Sequence, residues 1–216
     1  MGENLAKHSD VRSIGHEAVA GRDNALMLLI RNGDEDAFFE LVARYKHLMV
    51  NYIYRMVDDY ELAVDLAQEV FLRVFRHVDR YDPNLKFSTW IYRIATNLAI
   101  DTLRKRNRRG KHVSTVTTGD ASNEEGADIF GRISTDDPDP ETHVLQTEMN
   151  NLIMTAIQEL HPEHREVFLL KEMEHMALDE ISQITGTKVG TLKSRLFRAR
   201  AVLKDRINGY LTGGTT

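Results

Sequence analysis

From about residue 24 to 109, and again from 141 to 210, apolar residues recur at intervals of three and four, the period of helices that bury one face. In the last of these stretches Leu192, Leu196, Ala199 and Leu203 fall at i, i+4, i+7 and i+11, one continuous stripe. A rotation of about 100° per residue sets Ser194, Phe197 and Arg198 opposite that stripe, flanked by Thr191, Lys193 and Arg195. A shorter periodic segment precedes it and stops at Gly186, where a tight turn between two helices calls for positive φ. A second helix, predicted over Tyr60 to Val78, buries Ala63, Leu66, Ala67, Val70, Val74 and Val78; its other face collects Asp65, Gln68, Glu69, Leu72, Arg73 and Arg76. A third runs from Ser88, a plausible N-cap, to Arg109. One of its stripes carries Trp90, Arg93, Asn97, Asp101, Arg104 and Arg108, beside apolar Ile91, Ile94, Ala95, Leu98 and Ala99. No strand alternation of useful length interrupts these helices.

Breakers divide the chain. Asn32-Gly33-Asp34 stops one helix and starts another, and Asp82-Pro83-Asn84 marks a loop. Residues 111–140 lose the helical period and gain Gly, Ser, Thr, Asp and Pro, the composition of a disordered connector. The expected organisation is all-α: a flexible tail over 1–23, a helical domain over 24–110, a flexible acidic linker over 111–140, a second small helical domain over 141–210 and a short tail over 211–216. In the second domain two helices, about 141–159 and 163–173, lead into the helix-turn-helix. The reading is two all-helical domains on a tether.

Charge sharpens this picture. The 216 residues carry a net charge of −5, unevenly spread. Lys188 to Arg206 holds seven basic residues against one acid, and Arg104 to Lys111 six against none. Between them, Asp120 to Glu141 holds eight acids against one arginine. Two basic ends facing an acidic middle imply two nucleic-acid contacts joined by a segment that stays off phosphate. There are no cysteines, which excludes a disulfide framework and a thiolate site and fits a reducing cytoplasm. Neither a targeting segment nor an apolar run long enough to cross a membrane is evident, so a cytoplasmic protein without membrane insertion is expected.

Three faces invite function. A phenylalanine amid basic and hydroxyl side chains suits a helix entering a major groove, where Arg and Lys reach guanine or phosphate and an apolar edge meets a thymine methyl. The plainer alternative is a solvated surface helix. Leu72, ringed by charges of both signs, suits a protein docking site or is simply an exposed leucine. Aromatic, arginine and amide groups along the Trp90 edge suit unpaired bases, while Trp90 and Tyr81 equally suit a core anchor and its lid.

In order along the chain, four blocks resemble the extracytoplasmic-function (ECF) group of bacterial RNA polymerase sigma factors: residues 33–45 (GDEDAFFELVARY), 63–75 (AVDLAQEVFLRVF), 87–101 (FSTWIYRIATNLAID) and 189–200 (VGTLKSRLFRAR). The resemblance implies a first domain, region 2, that binds core polymerase and recognises and melts the −10 element, and a second, region 4, that reads the −35 element. It implies polymerase docking by Asp65, Gln68, Glu69 and Arg73, with Leu72 amid them. Tyr81 and Asn97 match positions around a flipped base, and Trp90 and Arg93 fall in the melting segment with basic Arg104 and Arg108 beyond. Lys171, Lys193, Ser194, Phe197 and Arg198 match −35 contacts, beside Thr191 and Arg195 on the same face. An anti-sigma partner is implied, and no cofactor or metal. Ser182 and Thr185 depart from the usual alanine and larger apolar residue, both small enough to pack.

Two rival readings remain. A stand-alone helix-turn-helix regulator would bind duplex DNA without polymerase, and would leave the Trp90–Arg109 helix without a task. An enzyme with a metal on His161, Glu163, His164 and His175 would need a nucleophile–base set or a phosphate-binding loop that the sequence lacks.

Overall fold

The computed structural model describes residues 21–110 and 140–212, all of it helix, turn or short loop. The tail before residue 21 and the acidic linker predicted over 111–140 lie almost wholly outside the described residues. The first helix, α1, covers 21–31. It is followed by α2 (Glu35–Val57), α3 (Tyr60–Arg76), a single 3₁₀ turn (Val78–Arg80) and α4 (Phe87–Gly110). Beyond the linker come α5 (Pro140–Gln158), α6 (Pro162–Phe168), an i→i+5 segment (Leu169–Met173), α7 (Leu178–Thr185) and α8 (Val189–Leu211).

Local chemistry sets the boundaries. Gly33 adopts φ +90, and Asp34 caps α2 by accepting the Ala37 N–H at 3.0 Å. Between α2 and α3 two aspartates divide the work: Asp58 closes α2 in the left-handed region at φ 56, and Asp59 opens α3 by accepting the Leu62 N–H at 3.1 Å. Pro162 occupies the first turn of α6, where no N–H is needed. Gly186 ends α7 at φ 68, as its place between two helical patterns predicts. The helix expected to reach Val78 stops at Arg76, since His77 leaves the helical region.

In the first domain α2 packs against both α3 and α4, with Tyr52 and Thr96 sharing a buried hydrogen bond of 2.8 Å. Asp23, assigned to the tail, is instead 1% exposed. Its carboxylate receives the Tyr45 hydroxyl at 2.6 Å and the Arg44 guanidinium, partners too distant in sequence for local pattern to reveal. In the second domain α6 and α5 pack on α8, closed by α7.

The domains do not stand apart. α7 lies along α4, and α5 and α6 reach α2, so one hydrophobic core includes residues of both domains. Polar groups cross the seam. The Tyr92 hydroxyl donates to the Glu174 carboxylate, whose other oxygen lies 3.8 Å from Arg55. Gln158 donates to the Arg55 carbonyl at 3.0 Å, and buried Arg165 donates to the Met56 carbonyl. At the rim Lys86 pairs with Glu180 at 2.9 Å. A connector's composition sets reach and says nothing about what the two domains do to each other.

Candidate nucleic-acid and polymerase interfaces

Helix α8 is held by its predicted stripe: Leu192, Leu196, Ala199 and Leu203 are all buried. Opposite them Thr191, Lys193, Ser194 and Arg198 are exposed and Phe197 is 75% exposed. Lys193, Ser194, Phe197 and Arg198 line a shallow depression on the outer face. The ring is an apolar centre amid hydrogen-bond donors, so the face has both apolar and polar edges.

Arg195 is placed differently. Its guanidinium turns back onto α6, pairing with Glu163 and, at 3.4 Å, with Glu166. It also meets the Thr187 hydroxyl at 3.4 Å. Burial pushes the Glu166 carboxyl up to about 7, against the opposing pull of Arg195. Arg200 with Glu172 at 2.5 Å, and Arg206 with Glu159 at 2.6 Å, anchor the same helix further along. Lys171 is half-buried in the i→i+5 segment and donates to the Met176 carbonyl at 3.1 Å. Among the described residues no group of three or more His, Asp or Glu is arranged to hold a metal; the His161 and His164 rings lie tilted to each other, 5.8 Å apart.

On α4 the inward side is Ile91, Tyr92, Ala95, Thr96, Leu98 and Ala99, and Arg93, Asn97, Arg104 and Arg108 project outward. Trp90 is half-buried against the core, 5.2 Å from Tyr81 and 6.2 Å from Phe87. Tyr81 is 5% exposed and its hydroxyl donates to the Leu85 carbonyl at 2.8 Å while also meeting Asn24. Burial lifts that hydroxyl's pKa well above its ordinary value. Its ring is a lid on the aromatic cluster, with no free face.

On α3, Asp65 and Gln68 are exposed and Leu72 is 47% exposed. Glu69 and Arg73 form an i,i+4 pair at 2.8 Å, and that hydrogen bond holds the Glu69 carboxyl below its ordinary range. The face extends further than the sequence reading proposed. Phe75 is exposed one turn beyond Leu72, 5.2 Å from Phe38, and the exposed Phe39 adjoins it. The three-residue step from Leu72 to Phe75 was the available signal.

A basic recognition helix with an apolar centre, joined to a helical domain with its own basic outer stripe, defines a two-part DNA-binding protein. Residues 41–109 match the family described as Sigma-70 region 2, and residues 150–203 match Sigma-70, region 4. The chain is 37% identical to the ECF RNA polymerase sigma factor SigW of Bacillus subtilis, covering 82% of this chain and 92% of that protein. It is 35% identical to the RNA polymerase sigma-H factor of Pseudomonas aeruginosa (88% and 96% covered) and 32% identical to the ECF RNA polymerase sigma-E factor of Escherichia coli (86% and 94%). Among solved structures, CnrH in complex with the cytosolic domain of CnrY shares the fold at a TM-score of 0.62 and 21% identity, over 87% of this chain and 98% of that one. The chain belongs to the ECF sigma factors. It is an alternative sigma factor that directs RNA polymerase to promoters; the region 2 match runs from within α2 to α4, and the region 4 match from within α5 to within α8.

Proposed function

We propose that region 4 reads the −35 duplex with Lys193, Ser194, Phe197 and Arg198 of α8, beside Thr191, and that Lys171 meets phosphate from the neighbouring segment. The observation that carries this is the three-quarters exposure of Phe197 at the centre of a basic face. Arg195 serves the same contact indirectly, by holding α8 to α6. Region 2 recognises and melts the −10 element along the outward stripe of α4: Asn97 and Arg93 at the extruded base, Arg104 and Arg108 on backbone phosphate. Trp90 and Tyr81 form the aromatic wall behind that site, Tyr81 fixing the loop through Leu85. Asp65, Gln68, Glu69, Leu72 and Arg73 dock on core polymerase, with Phe75 and Phe39 widening the apolar centre.

The protein is a specificity factor rather than an enzyme, works in the cytoplasm without a cofactor, and is held in check by an anti-sigma partner. No described helix is long and apolar enough to cross a membrane. The region 2 assignment is tested on two templates. Asn97→Ala removes an exposed amide and leaves the core intact, so it should impair open-complex formation on duplex promoters far more than on a pre-melted bubble, because the base pocket supplies unstacking energy. Equal defects on the two templates would remove Asn97 from melting.

A further inference from the structure

Two neighbouring side chains in the first turn of α1 reach the aromatic cluster behind the outward stripe of α4. Both lie ahead of residues 41–109, the stretch that matches region 2. Asp23 is buried and accepts the Tyr45 hydroxyl at 2.6 Å, and the Tyr45 ring stands edge-on to Phe87 at 5.0 Å. Asn24 serves the other side of the cluster. Its Nδ2 donates to the Pro83 carbonyl at 2.9 Å, and its Oδ1 meets the Tyr81 hydroxyl, 57 positions away in sequence. The Tyr81 ring lies 6.1 Å from Phe87 and 5.2 Å from Trp90. Two adjacent residues therefore hold the two tyrosines that flank Phe87, where α4 begins.

The segment that most needs holding is 81–86. It lies outside any helix, and Asp82 to Lys86 are all exposed, so packing does little to fix its path. Some of its bonds close it on itself. Asp82 Oδ1 accepts the Asn84 N–H at 2.9 Å, the Leu85 N–H donates to the Asp82 carbonyl at 3.0 Å, and the Tyr81 hydroxyl reaches the Leu85 carbonyl at 2.8 Å. Asn24 ties the middle of this loop, at Pro83, to a helix of the same domain. Its amide has one workable orientation, because turning it over would set Oδ1 against the Pro83 carbonyl oxygen, two acceptors face to face.

We propose that Asn24 is a positioning residue for −10 melting: it holds the 81–86 loop and the Tyr81–Trp90 wall in the shape against which Asn97 and Arg93 receive the extruded base. This rests on the region 2 reading above. Arg93 and Asn97 lie three and seven positions beyond Trp90 on one stripe of α4, so a wall that shifts changes the space beside them. A pocket formed in advance spends no binding energy on ordering its loop, and that energy is left to unstack the base.

Trp90 is the chain's one tryptophan, so its fluorescence reports on the wall directly. In the free protein Asn24→Ala should shift Trp90 emission to the red and raise its quenching by acrylamide, with cooperative melting retained. Asn24→Asp keeps an acceptor for Tyr81 but sets a carboxylate oxygen against the Pro83 carbonyl, and should act in the same direction. As holoenzyme, both variants should open duplex promoters roughly 2- to 10-fold more slowly, the worth of about one hydrogen bond. The penalty for a wrong base in the −10 element should shrink with it, while preference at −35 stays as in wild type. In a Tyr81→Phe background Asn24→Ala should add less than it does alone, because the two act through one contact. Arg22→Ala, at an exposed neighbour paired with Glu40, should change none of these readouts. An unshifted Trp90, wild-type −10 discrimination in the folded variants, or a loss equal for every −10 base would each overturn the positioning role. If Asn97→Ala opens duplex and pre-melted templates alike, the region 2 reading fails instead, and Trp90 in the free protein still decides whether Asn24 holds the wall.

Discussion

Two arginines on α8, three residues apart, have different tasks. Arg198 is exposed on the outer face; Arg195 is spent on Glu163 and Glu166. Arg198→Ala should cost on the order of 1–3 kcal/mol of promoter affinity and relax preference at one or two −35 positions. Arg195→Ala should instead lower the melting temperature and weaken all promoters alike, because it leaves buried Glu166 without its partner. Binding of both variants, as holoenzyme, to single-base −35 mutants checks this, and a uniform loss for Arg198→Ala would reverse the roles. Glu166 itself gives the fold a pH dependence. Its folded pKa of about 7 lies above the ordinary 4.5, so between those values the folded state holds a proton that the unfolded chain has released. Stability from this group therefore falls as pH rises through that window, by roughly 1.4 kcal/mol per unit and on the order of 3–4 kcal/mol in all. Glu166→Gln should remove that slope, gaining on wild type between pH 5 and pH 8 in thermal melts. A difference that stays flat or takes the opposite sign would contradict the burial argument.

At the scale of elements, each functional face depends on an opposite face that packs. α3 buries Ala63, Ala67, Val70 and Val74, and this leaves Leu72 and Phe75 exposed on the opposite side. Leu72→Glu should therefore leave the fold within about 0.5 kcal/mol of wild type and yet abolish core polymerase binding, since a charge at an interface centre costs several kcal/mol. Native-like melting with normal polymerase affinity would remove α3 from the interface. These faces were legible in the sequence because helical period decides both sides at once: the leucine stripe of α8 located Phe197 and Arg198 with no knowledge of the tertiary fold. What could not be read were side chains whose partners lie far along the chain. Arg195 looked like one more base on a basic face, and only α6, some thirty residues earlier, turns it inward. Tyr81 suited both a base pocket and a lid on the core, and only its packing against Phe87 and Trp90 shows the lid. Phe38 could be joined to Phe75 only once α2 and α3 were packed.

For the whole molecule, four blocks in order along the chain identified it as two-part. The same evidence suggested two bodies on a tether, because nothing local marks Tyr92, Arg55 and Glu174 as partners across 82 and more residues. The account stands or falls on run-off transcription with purified core polymerase and a library of promoter sequences. It predicts that adding this protein yields discrete transcripts from a subset of templates sharing a −35 and a −10 sequence, and that core polymerase alone, or this protein alone with DNA, selects none of them. Equal transcription with and without the protein, or tight sequence-specific binding of duplex DNA by the isolated chain, would contradict it.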